Sequence, residues 1–203
     1  IMALLVLVGA AEASAQCAPK VDNFIIFVDQ SGSMYATYEK AKAVKMAVAK
    51  QILADMNALI PDLGYKGALN LFAPFQELQA PAVYNRVDLA AAIKAIKDKQ
   101  AIYGRQTPLT SGILSAEEAA VVAGLKGKTA VIMLSDGKSN VGGDPLPAVK
   151  ETAEKHPNAV FHVISFSQVG VKDTKTIKGT GIDQDKERRG EAINRAVAQI
   201  GDG

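Results

Sequence analysis

Two periodicities alternate along the chain from residue 23 onward. The run NFIIFVD at 23–29 is almost continuously apolar and rich in β-branched residues, the pattern of a strand buried on both faces. Beyond the polar stretch QSGS, Val44, Val48, Ile52, Met56 and Leu59 recur at helical spacing, with Lys42, Lys45 and Lys50 between them. This predicts one amphipathic helix over about 36–59, stopped by Pro61. KGALNLFAP then reads as a strand, DLAAAIKAIKD and PLTSGILSAEEAAVVAGL as helices, and KTAVIMLSD as a second fully buried strand. PLPAVKETAEKH and AVFHVISFS add a helix and a strand, and the polar stretch 170–191 has no periodicity until EAINRAVAQI resumes a helical pattern. Strands alternating with helices predict a Rossmann-like, doubly wound α/β fold: a mostly parallel central sheet with helices on both faces.

Length and charge narrow the function without naming it. The 203 residues suit one α/β domain, and a formal charge of +2 with 48% hydrophobic residues points neither to disorder nor to nucleic acid. The densest basic cluster, KERR at 186–189, reads as a solvated face.

The first residues differ from the rest. ALLVLVGA is a short apolar run and ASA at 13–15 offers the small residues a signal peptidase accepts, so 1–15 reads as a truncated secretory signal peptide and 16–203 as a single domain. The expectation is an exported protein, in the periplasm, associated with the outer membrane, or extracellular. No run approaches the roughly 20 apolar residues of a transmembrane helix. Cys17, the lone cysteine, has no partner for an internal disulfide, and bulky Gln16 before it fits poorly with lipidation; a free or intermolecularly paired thiol is the reading.

Candidate chemistry collects at the predicted carboxyl ends of strands, where parallel sheets bind ligands. Asp29 closes the first strand, Ser31 and Ser33 lie in the loop after it, Thr107 sits in GRQTPL before a helix, and Asp136 closes AVIMLSD. Hydroxyls, carboxylates and water are the oxygen shell that a small hard cation such as Mg²⁺ requires. Neutral hydroxyl ligands would leave such a site positive and able to accept one more anionic oxygen, from a carboxylate on a partner.

These motifs resemble the metal-ion-dependent adhesion site of von Willebrand factor type A domains. DQSGS matches the family's D-x-S-x-S, Thr107 the threonine of its second loop, and Asp136 in SDG the aspartate of its third, in the family's order and over roughly residues 22–168. VDNFIIFVDQSGSM, IPDLGYKGALNLFAPF and FHVISF are also similar to exported bacterial proteins in which such a domain precedes an OmpA-like domain, a segment lacking here. The resemblance implies a type A fold and a divalent cation, Mg²⁺ first and Mn²⁺ or Ca²⁺ as alternatives. It also implies metal ligation by Asp29, Ser31, Ser33, Thr107 and Asp136, the serines and threonine directly and the aspartates often through water. The function implied is cation-dependent binding of a protein partner through an acidic group; the alternative is a structural component of the bacterial cell envelope with a vestigial or stabilising site.

Each motif has a plainer reading. Asp, Ser and Gly are ordinary turn residues, and Thr107 before Pro108 is a standard helix start. Asp144 before Pro145 reads as a helix cap, and His162, between apolar neighbours, as a satisfied structural histidine. An enzyme is not expected: no histidine partners the serines, and no GxSxG elbow, P-loop or zinc-ligand spacing occurs.

Overall fold

A computed structural model describes residues 20–99, 125–137 and 146–167. Its central element is β1 (Asn23–Asp29), with all seven residues buried, as the unbroken apolar run requires. A single 3₁₀ turn (Gly32–Tyr35) and a two-residue hairpin, β2 (Thr37–Tyr38) with β3 (Ala43–Val44), lead into α1 (Lys45–Leu59). Then come β4 (Lys66–Phe72), β5 (Gln76–Val83), α2 (Arg86–Ala95), β6 (Thr129–Ser135), α3 (Leu146–Lys155) and β7 (Ala159–Ser165).

The larger sheet has the order β5-β4-β1-β6-β7. β1 pairs in parallel with β4 on one side and β6 on the other, β7 continues parallel to β6, and β5 runs antiparallel to β4. The architecture is the predicted Rossmann-like, mostly parallel sheet. Chain order runs outward from β1 to β4 and then resumes at β6 on β1's other side. That reversal places the carboxyl ends of β1 and β6 side by side at a switch point, the place where open parallel sheets generally bind ligands.

Alternate residues of the buried strands feed two cores. Phe24, Ile26, Val28, Leu69, Leu71 and Leu134 meet Met46, Ala49 and Leu53 of α1 and Leu89, Ala92 and Ile93 of α2. On the opposite face, Ile25, Phe27, Ala68, Phe72, Val131, Met133 and Phe161 form the second. Gly67 is required by the first core, since a Cβ there would lie 2.5 Å from a ring carbon of Phe24. Gly67→Ala must push that ring aside, and a loss of about 1–3 kcal/mol in urea-denaturation stability is expected, the usual cost of overpacking.

Several expectations are corrected. The helix begins at Lys45 rather than near 36, because Lys42 has a φ of 52°, which a right-handed helix does not admit, and the Lys45 amide bonds back to the Ala36 carbonyl. The helical period is right but the inward stripe is shifted by one residue: Lys45, Ala49, Leu53 and Asn57 are buried with Met46, while Val48, Ile52 and Met56 are only half-buried. β5 was not expected; it is an exposed edge strand carrying Pro81, with no apolar alternation to announce it. His162 is exposed on β7, not a buried structural histidine. The helix expected from PLTSGILSAEEAAVVAGL, the loop holding Thr107, Asp144, Cys17 with the leader, and everything after 167 lie outside the described residues.

Candidate metal site at the sheet switch point

β1 delivers Asp29 to its carboxyl end, and the next three residues turn back over it. The Ser31 amide donates to Asp29 Oδ1 at 2.8 Å, an Asx-type turn that holds the carboxylate against its own loop. Gln30 is fastened to β4 through its amide, which donates to the Phe72 carbonyl at 2.9 Å. Met34, fully buried in the first core, anchors the end of the loop. Ser31 is thereby buried and Ser33 half-buried, with their hydroxyl oxygens 3.1 Å apart.

The second wall comes from β6. Asp136 follows its last residue, and Gly137 beside it has a φ of 70°, a conformation that suits glycine. The Ser33 hydroxyl donates to Asp136 Oδ1 at 3.0 Å across 103 positions of sequence. Ser135 links the two walls: its hydroxyl donates to Asp29 Oδ2 at 2.8 Å and accepts from the Gly137 amide at 2.9 Å.

Four of the five residues singled out in the sequence, Asp29, Ser31, Ser33 and Asp136, therefore converge at one point; Thr107 is outside the described residues. Two participants were missed. Ser135 had a faint signal, being the residue before the strand-ending aspartate. Lys45 had a misleading one, because its spacing falls between the apolar positions of the predicted helix. It is fully buried, and its ammonium lies 2.7 Å from Asp136 Oδ2.

Two of the oxygen spacings are compatible with a small hard cation. Octahedral coordination at about 2.0–2.1 Å separates adjacent ligand oxygens by roughly 2.9 Å. The Ser31–Ser33 spacing of 3.1 Å and the Ser33–Asp136 spacing of 3.0 Å are near that edge length. Among the described residues no group of three or more His, Cys, Asp or Glu side chains could hold a metal. Any cation here would accordingly depend on hydroxyls and water as well as carboxylates, which disfavours soft metals.

Two buried carboxylates this close repel. Burial pushes the Asp29 carboxyl from an ordinary 3.8 up to about 7, the charge of Asp136 adds to the rise, and the hydrogen bonds from Ser31 and Ser135 oppose it. Since the folded state binds the proton more tightly than the unfolded chain, Asp29 contributes most below about pH 4, and that contribution is lost as pH rises through about 7. The metal-free protein is thus expected to lose stability against Asp29→Asn between pH 5 and pH 8, measured by urea midpoints of both proteins in chelator; parallel midpoints would contradict this.

Comparison with solved structures places the fold. An aerotolerance-related membrane protein from Bacteroides fragilis aligns over 89% of this chain and 88% of its own, at 18% identity and a TM-score of 0.64. The protein BatB from Bacteroides thetaiotaomicron aligns over 89% and 87%, at 19% identity and 0.61. The manganese-loaded TRAP protein of Plasmodium vivax aligns over 82% and 60%, at 19% identity and 0.54. Proximal thread matrix protein 1 of the mussel byssus, in a form with zinc in its metal-ion-dependent adhesion site, aligns over 88% of this chain and 47% of its own, at 15% identity and 0.57. No family model and no curated sequence matches this chain.

The molecule is thus an α/β protein whose sheet switch point gathers an oxygen-rich cluster. More narrowly, its fold is that of a von Willebrand factor type A domain.

Proposed function

We propose that this domain is a binding module, not an enzyme, which holds a divalent cation at its sheet switch point and uses it to engage a carboxylate on a protein partner. The observation that carries this reading is the convergence of Asp29, Ser31, Ser33 and Asp136, with the Ser31, Ser33 and Asp136 oxygens spaced in turn about one octahedral edge apart and the Asp29 carboxylate held against the same loop by the Ser31 amide. Ser31 and Ser33 would hold the ion through their hydroxyls, and Asp29 and Asp136 would balance its charge directly or through water. The ion would supply a Lewis-acidic position for one outside oxygen, and half-exposed Ser33 marks the side from which that oxygen would approach. Mg²⁺ is the proposed resident, as the hard cation best suited to few carboxylates and retained water; fold neighbours holding manganese and zinc lend support to divalent binding in general.

Export is part of the proposal, resting on the apolar leader and ASA at 13–15. No helix among the described residues is long and apolar enough to cross a membrane. The second reading, a structural envelope component without bound metal, is favoured by one observation: the Lys45 ammonium already pairs with Asp136. A thermal-shift titration separates the two readings. Mg²⁺ or Mn²⁺ added to metal-stripped protein should raise the melting temperature saturably and reversibly in chelator, since a ligand that binds only the folded state stabilises it; an unmoved melting temperature up to millimolar metal would favour the structural role.

A further inference from the structure

Lys45 is fully buried, yet it carries a cation into the site proposed for a metal ion. It occupies the first position of α1, where the chain arrives from the β2–β3 hairpin, and its amide bonds to the Ala36 carbonyl. Its backbone position is therefore fixed by the same segment that forms the serine loop. The ammonium sits 2.7 Å from Asp136 Oδ2, while the other oxygen of that carboxylate faces the Ser33 hydroxyl at 3.0 Å. Asp136 thus presents one oxygen to the cluster of candidate ligands and the other to the Lys45 ammonium. Asp29 is held differently, by the Ser31 amide and the Ser135 hydroxyl, neither of which carries a charge.

We propose that Lys45 is a tethered cation built into the site, which holds Asp136 in place in the metal-free protein and opposes the binding of a divalent ion. The inference rests on the metal-binding reading above. With both carboxylates ionised, the cluster with Lys45 has a net charge of −1, so a divalent ion brings it to +1; without Lys45 the same ion would bring it only to neutrality. The surplus positive charge weakens the resident ion and strengthens the demand for an anionic oxygen from outside. Lys45 therefore couples the two ligands: the metal alone is held loosely, and a partner carboxylate completes both the shell and the charge balance.

The test uses Mn²⁺ alone. Calorimetric titration of metal-stripped wild type and Lys45→Met, with melting temperatures of both in chelator, gives two independent readouts. The expected result is a lower metal-free melting temperature for Lys45→Met together with Mn²⁺ binding at least tenfold tighter than wild type. A lower melting temperature with unchanged or weaker binding would show Lys45 to be only a prop for the fold and would overturn this inference while leaving the metal site standing. Failure of both proteins to bind would remove the metal-binding reading and the inference together. If Lys45→Met does not fold, the wild type decides: the ¹⁵Nζ resonance of the buried Lys45 ammonium should shift on saturation with diamagnetic Mg²⁺, and an unmoved resonance at saturation overturns the proposal.

Discussion

Asp136→Ala is expected to destabilise the metal-free protein by about 3 kcal/mol, near the bottom of the range for breaking a buried ion pair by removing one partner. Lys45 and Asp136 are both fully buried, so the substitution leaves an ammonium without its counter-charge. Removing Asp136 also frees Asp29 from a neighbouring negative charge, which offsets part of the loss and sets the estimate at the low end. In a chain of 203 residues this corresponds to a fall of roughly 6–12 °C in Tm. The double substitution Lys45→Met with Asp136→Leu should recover most of that loss, because apolar groups of similar volume remove both desolvation costs at once. Urea denaturation in chelator measures all three; a loss under about 1 kcal/mol for Asp136→Ala would show that the ammonium finds another partner or reaches water.

Asp29→Asn is expected to have the opposite profile. It removes a buried charge whose ionised form is already disfavoured, so metal-free stability at pH 8 should be equal to or above that of wild type. The amide keeps an oxygen for the Ser31 N–H, preserving the loop that presents the hydroxyls. Affinity for Mg²⁺ or Mn²⁺ should nevertheless fall about 10–100-fold or more, since loss of a carboxylate beside a hard cation has that cost even when the contact runs through water. Calorimetry beside urea denaturation reads both quantities. A destabilised protein with normal metal affinity would place Asp29 in the scaffold and outside the site.

The two substitutions separate what the sequence made legible from what it did not. β1, β4 and β6 were readable because strands buried on both faces leave nearly continuous apolar runs, and β7 because its apolar run is broken only by exposed His162; the ends of β1 and β6 located Asp29 and Asp136. Ser31 and Ser33 were readable from spacing, since a turn that doubles back on an aspartate presents alternate residues on one side. β5 was not, because an exposed edge strand needs no apolar face. Lys45 was hidden for a related reason. Helical periodicity gives the spacing of a stripe but leaves its phase open where small or polar residues fill the inner face, and here Lys45, Ala49 and Asn57 lie inward while half-buried Val48, Ile52 and Met56 flank them. A buried lysine is accepted only because Asp136, 91 positions away, supplies its counter-charge, and no local pattern encodes that pairing.

The central claim is that these hydroxyls and carboxylates surround one metal ion, and anomalous diffraction from a crystal soaked in Mn²⁺ tests it most directly. The account predicts a single strong peak about 2.0–2.3 Å from the Ser31 and Ser33 hydroxyl oxygens, within reach of Asp29 and Asp136 directly or through water, a Mn–O distance in the range of hard divalent cations. No peak there at saturating Mn²⁺, with the Lys45 ammonium still on Asp136, would contradict it and leave the domain a metal-free scaffold.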